Sequence, residues 1–450
     1  MFLFFSDMFL RDVFAEIPVF VLFPLLSSPR MALPQRLEEI RDGFERPFWV
    51  ANISEIFERL SYYGAFSSLA VYLQGKLNFS TEQTGTLTGI FGGMVWFLAI
   101  FGGALADKLG FRRALSLAYL ILAAAYFLIG SIGASWLAPL RNAVPLGYFV
   151  ACVLILPALG ISLVKPCVVG TTARASKENV RSIGYSIYYT MVNIGGAAGP
   201  FVADWAHAHL GVENVFRIAA LSVFLMFFLV LIFFREPKRI DDVPAPSLAS
   251  TAKNFLIVLS NPKFILFLLI FTGYWIVFWQ QYTSLPGYIL NYIDPNARVE
   301  RILITDGAVV ICFTLAWNYV IRKIPPFHAV ILGTLISSLS WLIVAFWPTV
   351  WGAVLSIVLL ALGEITQAPR YYEYISKLAP AEQQGTYMGF AFLPIGIGSL
   401  IGGWFGGKVM HHFGELQHHP ERAWYAITAV GVLTAILLWI YDRLIKPKAG

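Results

Sequence analysis

Long apolar blocks, each followed by a short stretch where charge, Gly and Pro collect, repeat along the chain from residue 47 to residue 445. Each block reaches the roughly 20 residues that a helix needs to cross a hydrocarbon core about 30 Å thick. The pattern predicts twelve helices, over 47–74, 82–106, 111–136, 144–173, 180–208, 213–234, 262–293, 302–321, 327–349, 350–378, 383–411 and 422–445. The expected fold class is an all-α integral membrane protein with twelve transmembrane helices.

Composition agrees with the pattern. The chain is 58% hydrophobic and 13% charged, far below the roughly 25% charged residues of soluble domains. A net charge of +6 would suit an acidic partner, but the charges sort by side instead. With the N-terminus in the cytoplasm, the cytoplasmic segments hold Arg36, Arg41, Arg46, Lys108, Arg112, Arg113, Arg174, Lys177, Arg181, Arg235, Lys238, Arg239, Arg322, Lys323, Arg443, Lys446 and Lys448. The opposite loops carry chiefly Lys76, Arg141, Arg298, Arg301, Lys408 and Arg422. This bias puts both termini in the cytoplasm of a cell-membrane protein and excludes nucleic acid as the partner. Cys152, Cys167 and Cys312 fall inside predicted helices and read as small core residues, not as a disulfide framework or a metal site.

The stretch 235–261 is charged and Pro-containing and reads as a cytoplasmic linker between six-helix bundles over 47–234 and 262–445, with a leading segment 1–46 and a tail 446–450. Within the leading segment, either the protein proper begins at Met31 or residues 1–30 lie along the membrane surface. IGGAAGP at 194–200 echoes IGSLIGG at 397–403, as expected of internally repeated halves with a site between them, the plan of secondary transporters.

GGALADKLGFRR, residues 102–113, has the build of a tight helix-loop-helix: Gly102 and Gly103 permit close approach, Gly110 permits the turn, and Asp107 can pair with Arg112 or Arg113. It resembles motif A of the major facilitator superfamily, which implies that fold for both bundles and a gating role for this loop on the cytoplasmic side.

Charge inside a membrane costs at least about 2.5–3.5 kcal/mol per residue on insertion scales and usually marks a polar cavity or an ion path. In the first helix Glu55, Glu58, Arg59 and Tyr62 share one face by helical spacing, and Glu55 precedes Arg59 in the order that favours an ion pair. Lys165 precedes Pro166 in the fourth helix, and Glu364 lies mid-way along the tenth. A cavity with cations on one wall and an anion on the other suits a zwitterion.

These residues resemble the signature of the proton-coupled oligopeptide transporters. Glu55-Ile-Phe-Glu58-Arg59-Leu-Ser-Tyr62-Tyr63-Gly64 is similar to ExxERFxYYG, Lys165-Pro166 to the fourth-helix KP, Tyr188 to Pro200 to FYxxINxGSLxxP, and Gly363-Glu364 with Pro369 and Lys377-Leu-Ala-Pro380 to the tenth-helix elements. The resemblance implies a proton-coupled symporter of di- and tripeptides or peptide-like zwitterions working by alternating access. It implies that Arg59 and Lys165 bind the peptide carboxylate, that Asn193 and Glu364 hold the amino end, that Tyr62 and Tyr63 line the pocket, and that Glu55, Glu58 and Arg59 couple protons. The implied partners are a short peptide, protons and the lipid bilayer. No cofactor or enzymatic activity is expected beyond use of the proton gradient, and the chain is expected to act as a monomer.

The sequence also departs from that family. Phe66 stands where a second Arg is usual, and Trp279 where the seventh helix usually has an acid. These two positions favour the alternative of another small solute, such as an organic anion, with altered or absent proton coupling. Asp306 is a candidate to replace the missing acid, although a helix-end Asp is the plainer reading. Arg370 and Glu373, at i and i+3 near the cytoplasmic end of the tenth helix, read as a structural or gating pair. His411, His412, His418 and His419 cluster in an outer loop without completing a metal-ligand set.

Overall fold

A computed structural model describes residues 42–237, 258–378 and 384–444. Most of the expected leading segment and linker, and the last residues of the chain, lie outside them. Among the described residues the architecture is helical. Six long helices occupy the first half: α1 (Arg46–Val71), α2 (Thr81–Leu109), α3 (Phe111–Ile129), α4 (Leu146–Arg174), α5 (Arg181–Leu210) and α6 (Val212–Phe233). Six more follow: α7 (Pro262–Phe278), α8 (Val299–Ile321), α9 (Pro326–Phe346), α10 (Val350–Leu378), α11 (Leu393–Val409) and α12 (Glu421–Leu444).

Local chemistry sets the ends. Ser80 starts α2 with a reciprocal capping box: its hydroxyl accepts from the Gln83 backbone N–H at 3.2 Å, and the Gln83 side chain accepts from the Ser80 N–H at 3.2 Å. Gly110, at φ 81°, makes the sharp turn from α2 to α3, a conformation that costs Gly little. Three predicted spans are modified. The third stops at Ile129 instead of residue 136, and Ala138–Ala143 forms a short helix of its own before α4. The seventh is broken into Pro262–Phe278, Gln280–Thr283, Leu285–Tyr288 and Ile289–Ile293. The eleventh breaks after Phe390 and resumes at Leu393. Pro286 and Pro394 stand just after the breaks and remove backbone donors there. The cysteines need a correction: Cys167 is buried, but Cys152 and Cys312 are exposed on outward helix faces.

Eight described helices are long and apolar enough to cross a membrane by composition alone. α2 joins that set only as a bent pair, and the first, fifth and eighth helices are outside it; they carry Glu55, Glu58 and Arg59, then Asp204 and His207, then Glu300, Arg301 and Asp306. Their ionisable residues lower their hydropathy, and Glu55, Glu58, Arg59, Asp204 and Glu300 among them are buried.

Within the first half α1 packs on α5 and α6, and α2 and α3 on α4; within the second, α9 packs on α10 and α12, and α7 on α11 and α12. Across the halves the principal contacts run from α2 to α11 and from α5 to α8. Glycine sets the α2–α11 approach: a Cβ on Gly89 would lie 2.7 Å from the Ser399 carbonyl oxygen, nearer than real Cβ contacts come. The repeated glycine motif acts alike in each half, since a Cβ on Gly199 would meet the Leu60 carbonyl of α1 at 2.6 Å and one on Gly402 the Ile276 carbonyl of α7 at 3.1 Å.

One end of the molecule is shut. Twelve crossings bring the C-terminal end of α5 and the N-terminal end of α8 to the end opposite the chain termini. There Asp204 of α5 takes Arg298 at 2.6 Å and Arg301 at 3.1 Å. Glu300 of α8 accepts from the Ser68 hydroxyl of α1 at 2.9 Å and pairs with His207 at 2.8 Å. Lys408 of α11 pairs with Glu82 of α2 at 2.9 Å, and the Thr81 hydroxyl bonds Glu415. At the end bearing the termini, the ion pairs among the described residues stay within one half: Arg174–Asp107, Arg370–Glu373 and Lys377–Glu373.

Candidate functional site

On α1 the ionisable residues gather on one face, as their spacing requires. Arg59 Nε lies 2.5 Å from Glu58 Oε2 and 3.5 Å from Glu55 Oε1, and the three side chains are 2%, 0% and 0% exposed. Its guanidinium also lies 5.2 Å from the Tyr62 ring centroid. Neither Glu55 oxygen has a hydrogen-bond partner among the described residues, nor does Glu58 Oε1 or Arg59 Nη2. On α4, Lys165 Nζ sits 4.2 Å from the Trp96 ring centroid, a cation–π contact worth about 2 kcal/mol or more when desolvated. Glu55, Glu58 and Arg59 are thus buried within the first half, with Lys165 half-buried on α4.

Between the halves is a cavity of about 240 Å³. Tyr63 of α1, Tyr189 and Asn193 of α5, and Trp96 of α2 line one side. The other side is formed by Trp275 and Phe278 of α7, Trp279 and Tyr282 of the broken segment that continues it, Asp306 of α8, and Glu364, Gln367, Tyr371 and Tyr372 of α10. Among the described residues its charged lining residues are Asp306 and Glu364, and no Lys, Arg or His lines it. Tyr189 is 59% exposed, in keeping with a cavity that opens toward the end bearing the termini.

The expected site residues therefore divide. Tyr63, Asn193 and Glu364 meet across the cavity, whereas Glu55, Glu58, Arg59, Tyr62 and Lys165 do not line it. Tyr62 is 1% exposed, and its ring stacks on Phe91 of α2 at 5.5 Å. Successive helical residues point about 100° apart, so Tyr62 stays with the charged face while Tyr63 reaches the cavity. Lys165 stands behind the Trp96 ring. Asn193 Nδ2 donates to the Tyr189 carbonyl at 2.8 Å, leaving its amide oxygen for other donors.

The gating expectations shift as well. Asp107 pairs with Arg174 of α4 at 3.1 Å, the partner found in place of Arg112 or Arg113. Arg112 Nη2 donates to the Leu231 carbonyl at 2.7 Å, and the backbone N–H groups of Phe111 and Arg112 donate to Glu236 at 2.8 and 2.9 Å. Glu236 thus caps α3 and draws Arg112 toward α6; Arg113 is exposed. Arg370 and Lys377 both bond Glu373, at 2.8 and 2.6 Å, within α10.

Several cavity residues went unnoticed in the sequence, although its periodicity held the signal. Gln367 and Tyr371 follow Glu364 at i+3 and i+7, and Trp275, Phe278, Trp279 and Tyr282 follow the same rule along α7. Phe66 and Trp279, the two departures from the peptide-transporter pattern, touch. Their ring centroids lie 5.4 Å apart, Phe66 stacks on Tyr282 at 4.6 Å and 11°, and Trp279 Nε1 donates to the Ile395 carbonyl at 3.1 Å. An aromatic clasp joins α1 to α7 at these positions.

The family model described as Major Facilitator Superfamily matches residues 52–296 and 302–450. The chain is 22% identical over 391 residues to the multidrug resistance protein MdtH of Yersinia enterocolitica, covering 85% of this chain and 92% of that protein. A MdtH from Escherichia coli is 22% identical over 393 residues, with 85% and 91% covered. Among solved structures, a POT family transporter in complex with 5-aminolevulinic acid superposes with a TM-score of 0.72 at 16% identity, covering 89% of this chain and 97% of that one. A mutant of the nucleoside transporter NupG superposes as well, with a TM-score of 0.73 at 13% identity and 88% and 99% covered. Proteins named for different cargo share this fold equally, so the fold does not select a substrate.

Proposed function

Because the chain belongs to the major facilitator superfamily, and is therefore a multi-pass membrane transporter, we propose that it is a proton-coupled symporter of di- and tripeptides or peptide-like zwitterions working by alternating access. The observation that carries the reading is the pairing of two charged sites. A buried Glu55–Glu58–Arg59 cluster lies in one half, and a cavity wall bearing Glu364 lies in the other. Glu364 and Asn193 hold the substrate's amino end, and Tyr63 supplies a ring face and a hydroxyl.

The carboxylate end needs a cation, and Lys165 stands against the Trp96 ring that lines the cavity. In this reading Trp96 swings aside when substrate enters, and Lys165, then Arg59, turn to the carboxylate. Glu55 and Glu58 lose their counterions at that moment, and the α1 cluster takes up the coupled proton there. The bundles over 47–234 and 262–445 then rock about the cavity, and the α5–α8 and α2–α11 ion pairs break to open the other end. We place the protein in the cell membrane as a monomer with both termini cytoplasmic.

A second reading has its own support. The charged groups on the cavity wall are both acids, so an amine without a carboxylate fits it directly, whereas an organic anion fits it poorly. Relatives named for multidrug resistance accord with such cargo. Competition against labelled dialanine uptake in proteoliposomes tests the substrate class. Strong competition by dipeptides, with weaker competition by N-acetylated dipeptides and dipeptide amides, is expected; absence of dialanine uptake would rule the peptide reading out.

A further inference from the structure

Asp306 has no role in the peptide reading, yet it lines the same cavity as Glu364. Its Oδ1 makes no hydrogen bond of good geometry among the described residues, and the Gln281 amide is the polar side chain beside the carboxylate. Gln367, one helical turn from Glu364, is 1% exposed and lines the cavity; neither its amide oxygen nor its nitrogen makes a hydrogen bond of good geometry among the described residues, and the Tyr274 phenol is its polar neighbour. An unsatisfied buried amide costs on the order of 1–3 kcal/mol, so its survival beside two acids marks a place where a polar ligand completes the wall. The rest of that wall is Trp275, Trp279, Tyr282 and Tyr372, whose ring faces attract cations.

We propose that Asp306, Glu364 and Gln367 form one binding site for a primary ammonium group, and that the ammonium displaces a proton held by the two carboxylates. Two acids facing one small apolar cavity cannot both ionise without mutual repulsion, so the empty pair retains a proton. An arriving R–NH3+ supplies the missing positive charge. Its N–H groups donate to both carboxylates and to the Gln367 oxygen, and the displaced proton leaves to water through the open end. The other titratable groups facing the pair are phenols, Tyr63, Tyr189, Tyr274, Tyr282, Tyr371 and Tyr372, which stay neutral through the physiological range. Among the described residues no Lys, Arg or His lines the cavity to take the proton instead.

The proposal rests on the transporter reading and adds a rule to it: the substrate sets the sign of coupling. A zwitterion turns Lys165 and Arg59 away from Glu55 and Glu58, each of which can take a proton, while the Asp306–Glu364 pair gives up one, so protons travel with it. An amine without a carboxylate engages the pair alone and exchanges with a proton. Amine affinity then falls as pH falls through the titration of the pair, because the proton competes for the same oxygens.

The test uses the purified full chain in lipid nanodiscs and phenylalaninamide as the probe, titrated calorimetrically in two buffers of different ionisation enthalpy. Net proton release on binding is expected, with affinity weakening at lower pH. Asp306→Asn should bind roughly tenfold weaker or worse, the equivalent of losing one charge-assisted hydrogen bond, and should lose the release; Glu364→Gln should do the same. Binding without proton release, or release undiminished in Asp306→Asn, would overturn the proposal. So would failure of phenylalaninamide to bind to protein that still binds dialanine, which separates this failure from that of the peptide reading. The buffer comparison on the unaltered protein decides the matter even where a variant does not fold.

Discussion

Arg59 is a tightly committed charge, 2% exposed and shared between Glu58 at 2.5 Å and Glu55 at 3.5 Å. Removing one member of a buried ion cluster costs about 3–5 kcal/mol, because the partners keep their desolvation penalty and lose its compensation. Arg59→Gln should therefore lower the thermal unfolding temperature markedly in detergent, and an unchanged midpoint would show that the cluster is not held as described. Lys165 makes a different case, since its ammonium rests on Trp96 and not on a carboxylate. Lys165→Gln should raise the KM for dialanine roughly tenfold, the loss of about 1.4 kcal/mol, and leave that for alanine amide unaltered; equal effects on both would remove Lys165 from carboxylate recognition. The α1 cluster was legible in the sequence because four polar residues at helical spacing in an apolar block have few other uses. Which face met the cavity was not legible. Tyr62 and Tyr63 look equivalent in a string, and only packing against Phe91 fixes the first away from the opening.

At the scale of elements, the helices appeared in the sequence as apolar blocks, while their breaks in α7 and α11 did not stand out, since Pro286 and Pro394 sit inside apolar text that reads as continuous. The clasp between α1 and α7 was half visible. Phe66 and Trp279 were each anomalous against the peptide-transporter pattern, but that they touch, at 5.4 Å between ring centroids, is a fact of three dimensions. Because an Arg and an acid are usual at these positions, charges restored to both would face each other. Phe66→Arg alone should destabilise by burying an uncompensated cation among Phe91, Trp279 and Tyr282. Phe66→Arg combined with Trp279→Glu should recover part of that loss, with a favourable coupling energy on the order of 0.5–3 kcal/mol in a double-mutant cycle of thermal unfolding. Additive losses would mean that the two positions do not act as a pair. The acid on α8 was weighed against a helix-end role and undervalued, since Asp306 is eight positions into α8 (Val299–Ile321) and only the tertiary arrangement brings it to Glu364.

For the whole molecule, the closed end is held by groups that bridge the halves, chiefly Asp204 with Arg298 and Arg301, and Glu300 with Ser68 and His207. None was assigned a role in the sequence, because a loop-end charge has the same appearance whether it is solvated or latched. Asp204→Asn removes the carboxylate that two arginines share and should shift the population toward the state open at that end, by roughly tenfold for each 1.4 kcal/mol lost. A cysteine introduced by Ser68→Cys, at a position now buried, should then be labelled faster by a membrane-impermeant maleimide, above the background of the native cysteines; an unchanged rate would mean that the latch does not hold this state. Such a switch matters only if cargo and protons move together. The most direct measurement is accumulation of labelled dialanine in proteoliposomes under an imposed pH gradient, for the unaltered chain and for Glu58→Gln. The expected result is accumulation above the external concentration toward the alkaline side, lost in Glu58→Gln while exchange of dialanine across the membrane persists. Accumulation that ignores the gradient, or that survives undiminished in Glu58→Gln, would contradict proton coupling through the α1 cluster.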